Sequence, residues 1–364
     1  MTFASKYTDK YEIDMSRDNK KYRSRTDGLM NILYCCGELP NDLYHSMNIS
    51  YDCYRKNISR LLKRGLIQRV SDGVAGYQLT LKGKRITTYE INYLKYRYYV
   101  EEEIDRHYSI KRRMRKRQQA YLSALLDRAG ITYEVFRKPK FEDAIYGDTV
   151  YYFEANDFKR MIPYESTPFR GSRILGFFVG KQRIIPIYKM NSVLSSLGKH
   201  EILVPEAIKQ HFNVAADTAI LISGYVEGAL NQVVNGYNLY DEKINIPDYP
   251  NFYVFSSGDH FLSHFQDLYV DYSSKEREII ERYHIDTSEY DRRGRSRYII
   301  GTGFIDESPV WVCAGNVNAV TLRYFILNAE HTGKLSLIFC QQRDYPVLTE
   351  VTKGRNIKVL TIKI

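Results

Sequence analysis

Residues 50–70 read SYDCYRKNISRLLKRGLIQRV. Ser50 suits an N-cap, because its hydroxyl can accept from an unpaired amide in the first turn of a helix. Tyr54, Ile58, Leu61 and Leu62 then recur at helical spacing, which predicts a helix with one buried stripe. Gly65 stands where a left-handed residue ends such a helix. The opposite face carries Tyr51, Asp52, Arg55, Lys56, Ser59 and Lys63. Two strand-like pieces follow, LIQRV and YQLTL, and the glycines of SDGVAG between them permit a hairpin loop. Upstream, Leu29, Met30, Leu33 and Cys36 predict a helix from about Asp27, closed by Gly37. Pro40 suits the first turn of a second short helix, PNDLYHSM, with Leu43 and Met47 on its inner face. Ile49 plugs the core between the second and third helices.

Helix, short helix, capped helix and hairpin is the order of a winged helix-turn-helix. SRLLKRGLIQRV and YQLTLKGKRIT resemble the recognition-helix end and wing of winged-helix DNA-binding domains, over about residues 27–90. The resemblance implies double-stranded DNA as the partner. Arg55 then suits a bidentate contact to guanine, and Asp52 an acceptor for cytosine. Arg69 belongs to the wing, and Lys82, Lys84 and Arg85 would hold phosphates rather than read bases. A module of this kind can instead dock protein, which is the adaptor reading.

The charge is uneven. Residues 1–140 hold 29 basic and 16 acidic side chains, the remainder 24 and 27, so the formal +10 comes from the N-terminal part. Its densest point is KRRMRKR at the start of KRRMRKRQQAYLSALLDRAG (111–130). Lys111, Arg112, Arg113, Arg115, Lys116 and Arg117 surround Met114. Such a helix cannot be buried there without great cost, so these six are expected to face water, acids or phosphate and to widen the DNA footprint. Helical spacing runs through 91–130 with a break near Ser109. Ile110, Met114, Tyr121, Leu122, Leu125 and Ala129 form the expected apolar stripe, which would serve a homodimer seam or core packing. Residues 1–26 read as an arm.

From 140 to 364 the pattern becomes α/β. Nine apolar runs (TVYYF, RILGFFVG, QRIIPIY, TAILISG, NFYVFSS, RYIIGTGFI, PVWVCAG, KLSLIFC, NIKVLTIKI) have strand length, and the later ones alternate with helical segments. An α+β or α/β domain with a mixed sheet follows, serving assembly or partner binding. The continuous runs point to strands covered on both faces. RILGFFVG and QRIIPIY, almost touching in sequence, predict a hairpin. DRRGRSR (291–297) reads as a basic loop and a second candidate phosphate contact.

Chemical motifs are sparse. There is no P-loop, and GTGF (301–304) lacks the rest of a dinucleotide fingerprint. His260 and His264 share a helix face without the glutamate of a zincin, so neither a metal nor a cofactor is expected. A metal-dependent nuclease would draw on acids such as Asp248, Asp259, Asp306 and Glu307. Five scattered cysteines form no disulfide framework. No stretch reaches the roughly 18 apolar residues that cross a bilayer, and the first residues lack a secretory pattern. A cytoplasmic, non-membrane protein is expected.

The order of winged helix, basic helix ending in LLDRAGI, and strands containing SRILGFFVGKQRIIPIY resembles winged-helix proteins of the replication-relaxation kind. Related proteins are encoded on plasmids and conjugative elements of Gram-positive bacteria. The resemblance implies a factor in plasmid replication, transfer or its regulation, with replication or transfer proteins as partners. Some of that kind have a C-terminal domain likened to restriction endonucleases, whose acids this sequence lacks.

Overall fold

A computed structural model of the chain describes residues 25–84 except 72, 109–155 except 135–136, 172–189, 199–236 except 215, 249–268 except 259, and 299–362 except 306–307, 315–316 and 334, with 158, 169 and 281 as single positions. Arg85, the 91–108 part of the helical segment before Ser109, the loop 291–297, and Asp248, Asp259, Asp306 and Glu307 lie outside the described residues.

The N-terminal unit begins with α1 (Arg25–Cys36), then β1 (Leu39–Pro40), a run of turns over 41–48, α2 (Tyr51–Lys63), β2 (Ile67–Val70) and β3 (Gly76–Leu79). The Ser50 side chain accepts from the Cys53 amide at 3.3 Å and caps α2 as expected. Tyr54, Ile58 and Leu61 are buried beneath it. Gly65 and Gly130 have φ of 66° and 68°, the left-handed geometry that closes a helix. β2 and β3 form the expected antiparallel hairpin, with Ile67 opposite Leu79.

Two local expectations change. Residues 41–48 make consecutive turns, not a second α-helix: Leu43 and His45 donate three residues back, whereas Met47 donates four back. Pro40 is not a helix start but belongs to β1, which pairs with β3 through Leu39–Tyr77 and Pro40–Gly76. A two-residue edge strand tolerates proline because one flank needs no donor. The sheet order is β1-β3-β2.

α3 (Ile110–Arg128) starts at Ser109, whose side chain accepts from Arg112. It lies against α1, where Cys36 Sγ and Ser123 Oγ approach to 3.3 Å. After α4 (Phe141–Tyr146) come β4 (Tyr151–Glu154), β5 (Ile174–Gly180) and β6 (Arg183–Lys189). α5 (Lys199–Ile202), α6 (Val204–Phe212), β7 (Thr218–Ser223), α7 (Val226–Asn235), β8 (Asn251–Ser256) and α8 (Phe261–Asp267) follow. The rest comprises β9 (Ile299–Ile305), β10 (Ser308–Ala314), α9 (Ala319–Thr332), β11 (Ser336–Gln341), α10 (Tyr345–Val351) and β12 (Ile357–Ile362).

All nine apolar runs are strands. They form two mixed sheets, where the sequence suggested one. The first has order β4-β5-β6-β7-β8, antiparallel from β4 to β6 and parallel from β6 to β8. The second has order β12-β11-β10-β9. β5 and β7 are buried along their full lengths, as continuous apolar runs require. β5 and β6 form the predicted hairpin. Its two turn residues, Lys181 and Gln182, both have positive φ, and their amides donate to Gly147 and Ile145 carbonyls at 2.7 Å. One contiguous set of buried side chains runs from Leu29 in α1 to Val359 in β12. The protein is thus a mixed α+β fold. Among the described residues, no helix is long and apolar enough to cross a membrane.

Candidate nucleic-acid interface

The exposed face of α2 carries Asp52, Arg55, Lys56, Ser59, Arg60 and Lys63, and Arg64 follows at its C-cap. Arg55 and Lys56 are not plugged against the rest of the protein. Asp52 and Arg55 pair at 3.6 Å with both side chains largely in solvent. Lys82 donates to the Arg64 carbonyl at 2.9 Å, tying the end of α2 to the segment after the hairpin. Arg69 is exposed on β2, and Lys84 is half-buried. Arg60 and Arg64 were missed in the sequence reading, although the same 3.6-residue period that exposes Lys56 also exposes Arg60.

The basic run of α3 is different. Arg113 and Arg117 are buried, which corrects their expected place on a phosphate-facing surface. Glu38, wholly buried between α1 and β1, is the reason. Arg113 donates to it through Nε and Nη2, both at 2.9 Å, and Arg117 Nη1 lies 3.5 Å away. Gln78 Nε2 adds a fourth donor at 3.2 Å. The arginines also grip the hairpin loop: Arg113 donates to the Val74 carbonyl at 2.5 Å and Arg117 to Ala75 at 2.7 Å. Burial is tolerable because each charge is paired and hydrogen-bonded.

Two more of the six turn toward the protein. Arg115 donates to the Ile174 carbonyl of β5 at 2.8 Å. The Lys116 amine lies so close to Gly37 that a Cβ there would stand 2.9 Å from it. Lys111 is exposed and Arg112 half-buried. Ile110 and Met114, expected on the buried stripe, are exposed at 57% and 39%, because Arg113 and Arg117 occupy the inward positions. α3 is therefore a brace between the hairpin loop and the larger sheet. Tyr121 and Arg128 extend it, donating to Asp42 at 2.5 Å and the Ser46 carbonyl at 3.3 Å. Burial and the adjacent Asp42 raise the Tyr121 phenol above its ordinary value, so it stays a donor.

No known protein family, curated protein or solved structure matches this chain.

The acids of the nuclease reading lie outside the described residues, and of the histidine pair His260 is exposed. His264 is buried, with Nε2 2.8 Å from Asp344 Oδ1 and its ring 5.4 Å from that of Phe255. Arg343 pairs with Asp267 and lies near Asp344, completing an ionic knot between α8 and the start of α10. Glu134, Glu154 and Lys138 are also buried. Gln119 donates to Glu154 at 3.3 Å, and the Lys138 amine stands 4.6 Å over the Phe153 ring. Burial pushes the Lys138 ammonium from 10.5 down to about 8, opposed by the nearby carboxylates. Among the described residues, no three His, Cys, Asp or Glu side chains are placed to hold a metal.

Proposed function

We propose that this protein binds double-stranded DNA through an N-terminal winged helix-turn-helix, with α2 as the recognition helix and the β2–β3 hairpin as the wing. The observation that carries the reading is the exposed face of α2, which presents Arg55, Lys56, Arg60, Lys63 and Arg64 against a single acid, Asp52. An α-helix fits the major groove, and cations on it displace condensed counterions from phosphates. The Glu38 knot supports the same reading, because it fixes the hairpin loop through two backbone carbonyls and leaves Arg69 outward. Lys111 and Arg112, at the open end of α3, add phosphate contacts beside the wing. Ile110 touches Gly73 there, since a Cβ on Gly73 would stand 2.8 Å from Ile110 Cδ1.

The C-terminal sheets serve assembly or recruitment, and the whole acts as an accessory factor in replication or transfer of a mobile element, or as its regulator. Selection of bound fragments from a random duplex pool tests the reading. A consensus should emerge, and a palindromic one marks a symmetric dimer. Failure to retain any duplex at low salt refutes it and favours protein docking.

A further inference from the structure

The start of α2 carries two devices that packing alone does not require. Tyr51 is 56% exposed at the first position of the helix, yet its ring is not loose. It meets Tyr44 edge-on, with centroids 5.5 Å apart at 67°. Tyr44 in turn lies 4.0 Å from His45 and 6.1 Å from Tyr54. Tyr54 is buried and donates to the Pro40 carbonyl at 2.7 Å. A chain of rings thus runs from the core to solvent and ends on an aromatic ledge of fixed direction.

The second device is the Asp52–Arg55 pair. Their side chains are 72% and 65% exposed. An exposed pair contributes little stability. Its effect is to hold the guanidinium near Asp52, and Tyr51 and Arg55, four positions apart, share one face of α2. Successive residues of a helix rise about 1.5 Å, so Tyr51 and Arg55 stand roughly 6 Å apart along the axis. Base steps are about 3.4 Å, so the two side chains span one to two steps.

We infer that these residues select duplexes in which a thymine and a guanine lie one or two base steps apart in the major groove. Tyr51, backed by Tyr44, packs against the thymine 5-methyl group, the apolar landmark of that groove. Arg55 donates to O6 and N7 of the guanine, and Asp52 is its positioning residue. Duplex DNA is the occupant because the exposed residues further along α2 are cationic: Lys56, Arg60, Lys63 and Arg64. The inference rests on the proposed DNA binding, and deepens it to the chemistry of the bases.

The test uses the full chain and the duplex chosen by the random-pool selection. Single thymines are replaced by deoxyuridine, which deletes only the methyl group, and single guanines by 7-deazaguanine, which deletes only N7. One thymine should matter by about fourfold, the value of one buried methyl group, and a guanine one or two steps away by about tenfold. Tyr51→Ala should abolish the methyl effect, whereas Tyr51→Phe should keep it. Asp52→Ala should shrink the guanine effect without altering the salt dependence. Binding that is indifferent to every such replacement overturns the inference while leaving DNA binding intact, as does an undiminished methyl effect in Tyr51→Ala. Loss of binding to all duplexes defeats the underlying reading itself, and the unmodified duplex separates the two failures.

Discussion

Replacing Glu38 with alanine removes the one carboxylate between two buried guanidinium groups. The structure sets the cost. Three charge-assisted hydrogen bonds from Arg113 and Arg117 disappear, with a fourth from Gln78. The arginines keep Val74 and Ala75 carbonyls as acceptors, and Arg117 keeps Asp42 at 3.8 Å, but Arg113 loses the carboxylate that compensates its charge. Breaking a buried pair by removing one partner costs roughly 3–5 kcal/mol, and the retained carbonyl bonds place Glu38→Ala near the lower bound. Asp52→Ala, which breaks the solvent-exposed pair with Arg55, should cost under about 1 kcal/mol. Urea denaturation of both variants, with hydrogen exchange read at the amides of 76–79, measures the difference. β3 amides should lose protection in Glu38→Ala and keep it in Asp52→Ala. A Glu38→Ala cost below about 1 kcal/mol refutes the view that this carboxylate holds the β2–β3 hairpin against α3.

Other consequences can be checked separately. Ser50→Ala should destabilise by about 1 kcal/mol through loss of the α2 cap, measured by urea melts, with serine-to-threonine nearly neutral. Among the described cysteines, native thiol titration should label the partly exposed Cys53 ahead of Cys36 and Cys340; burial raises both of these thiols, Cys340 up to about 12. Lys138 predicts a pH dependence. Its folded pKa of about 8 lies below the ordinary lysine value, so between these limits the unfolded chain binds more protons and stability from this group rises with pH. Below pH 8 both states are charged, and the full cost of burial remains. The stability of wild type relative to Lys138→Met should therefore rise by roughly 2–3 kcal/mol from pH 7 to 10. A flat difference contradicts it.

Much of the fold was legible because its signals are local. The strands are continuous β-branched and aromatic runs, and α2 has a capping serine, a 3.6-residue stripe and a closing glycine within sixteen residues. The failures are long-range. β1 is two residues whose pairing partners lie 36 and 38 positions downstream, so no periodicity marks it. The inward turn of Arg113 depends on Glu38, 75 residues earlier, and nothing in KRRMRKR distinguishes Arg113 from its neighbours. The rule that a cationic helix stays in water gave way to a buried acid and two loop carbonyls. On α2 the exposed cations followed from helical period, whereas the aromatic ledge needed Tyr44 brought beside Tyr51 by the intervening turns.

The cationic face of α2 is tested most directly by fluorescence anisotropy of a labelled duplex, titrated across 50–200 mM salt with wild type and the Lys56→Gln/Lys63→Gln variant. Each phosphate neutralised contributes about 0.9 to the slope of log K against log salt. With Lys56, Arg60, Lys63, Arg64, Lys111 and Arg112 on phosphates, the wild type should show a slope of about −5, and the variant one shallower by about 2. A wild type that fails to bind at 50 mM salt, or a variant whose slope is unchanged, contradicts a role for this face in gripping DNA.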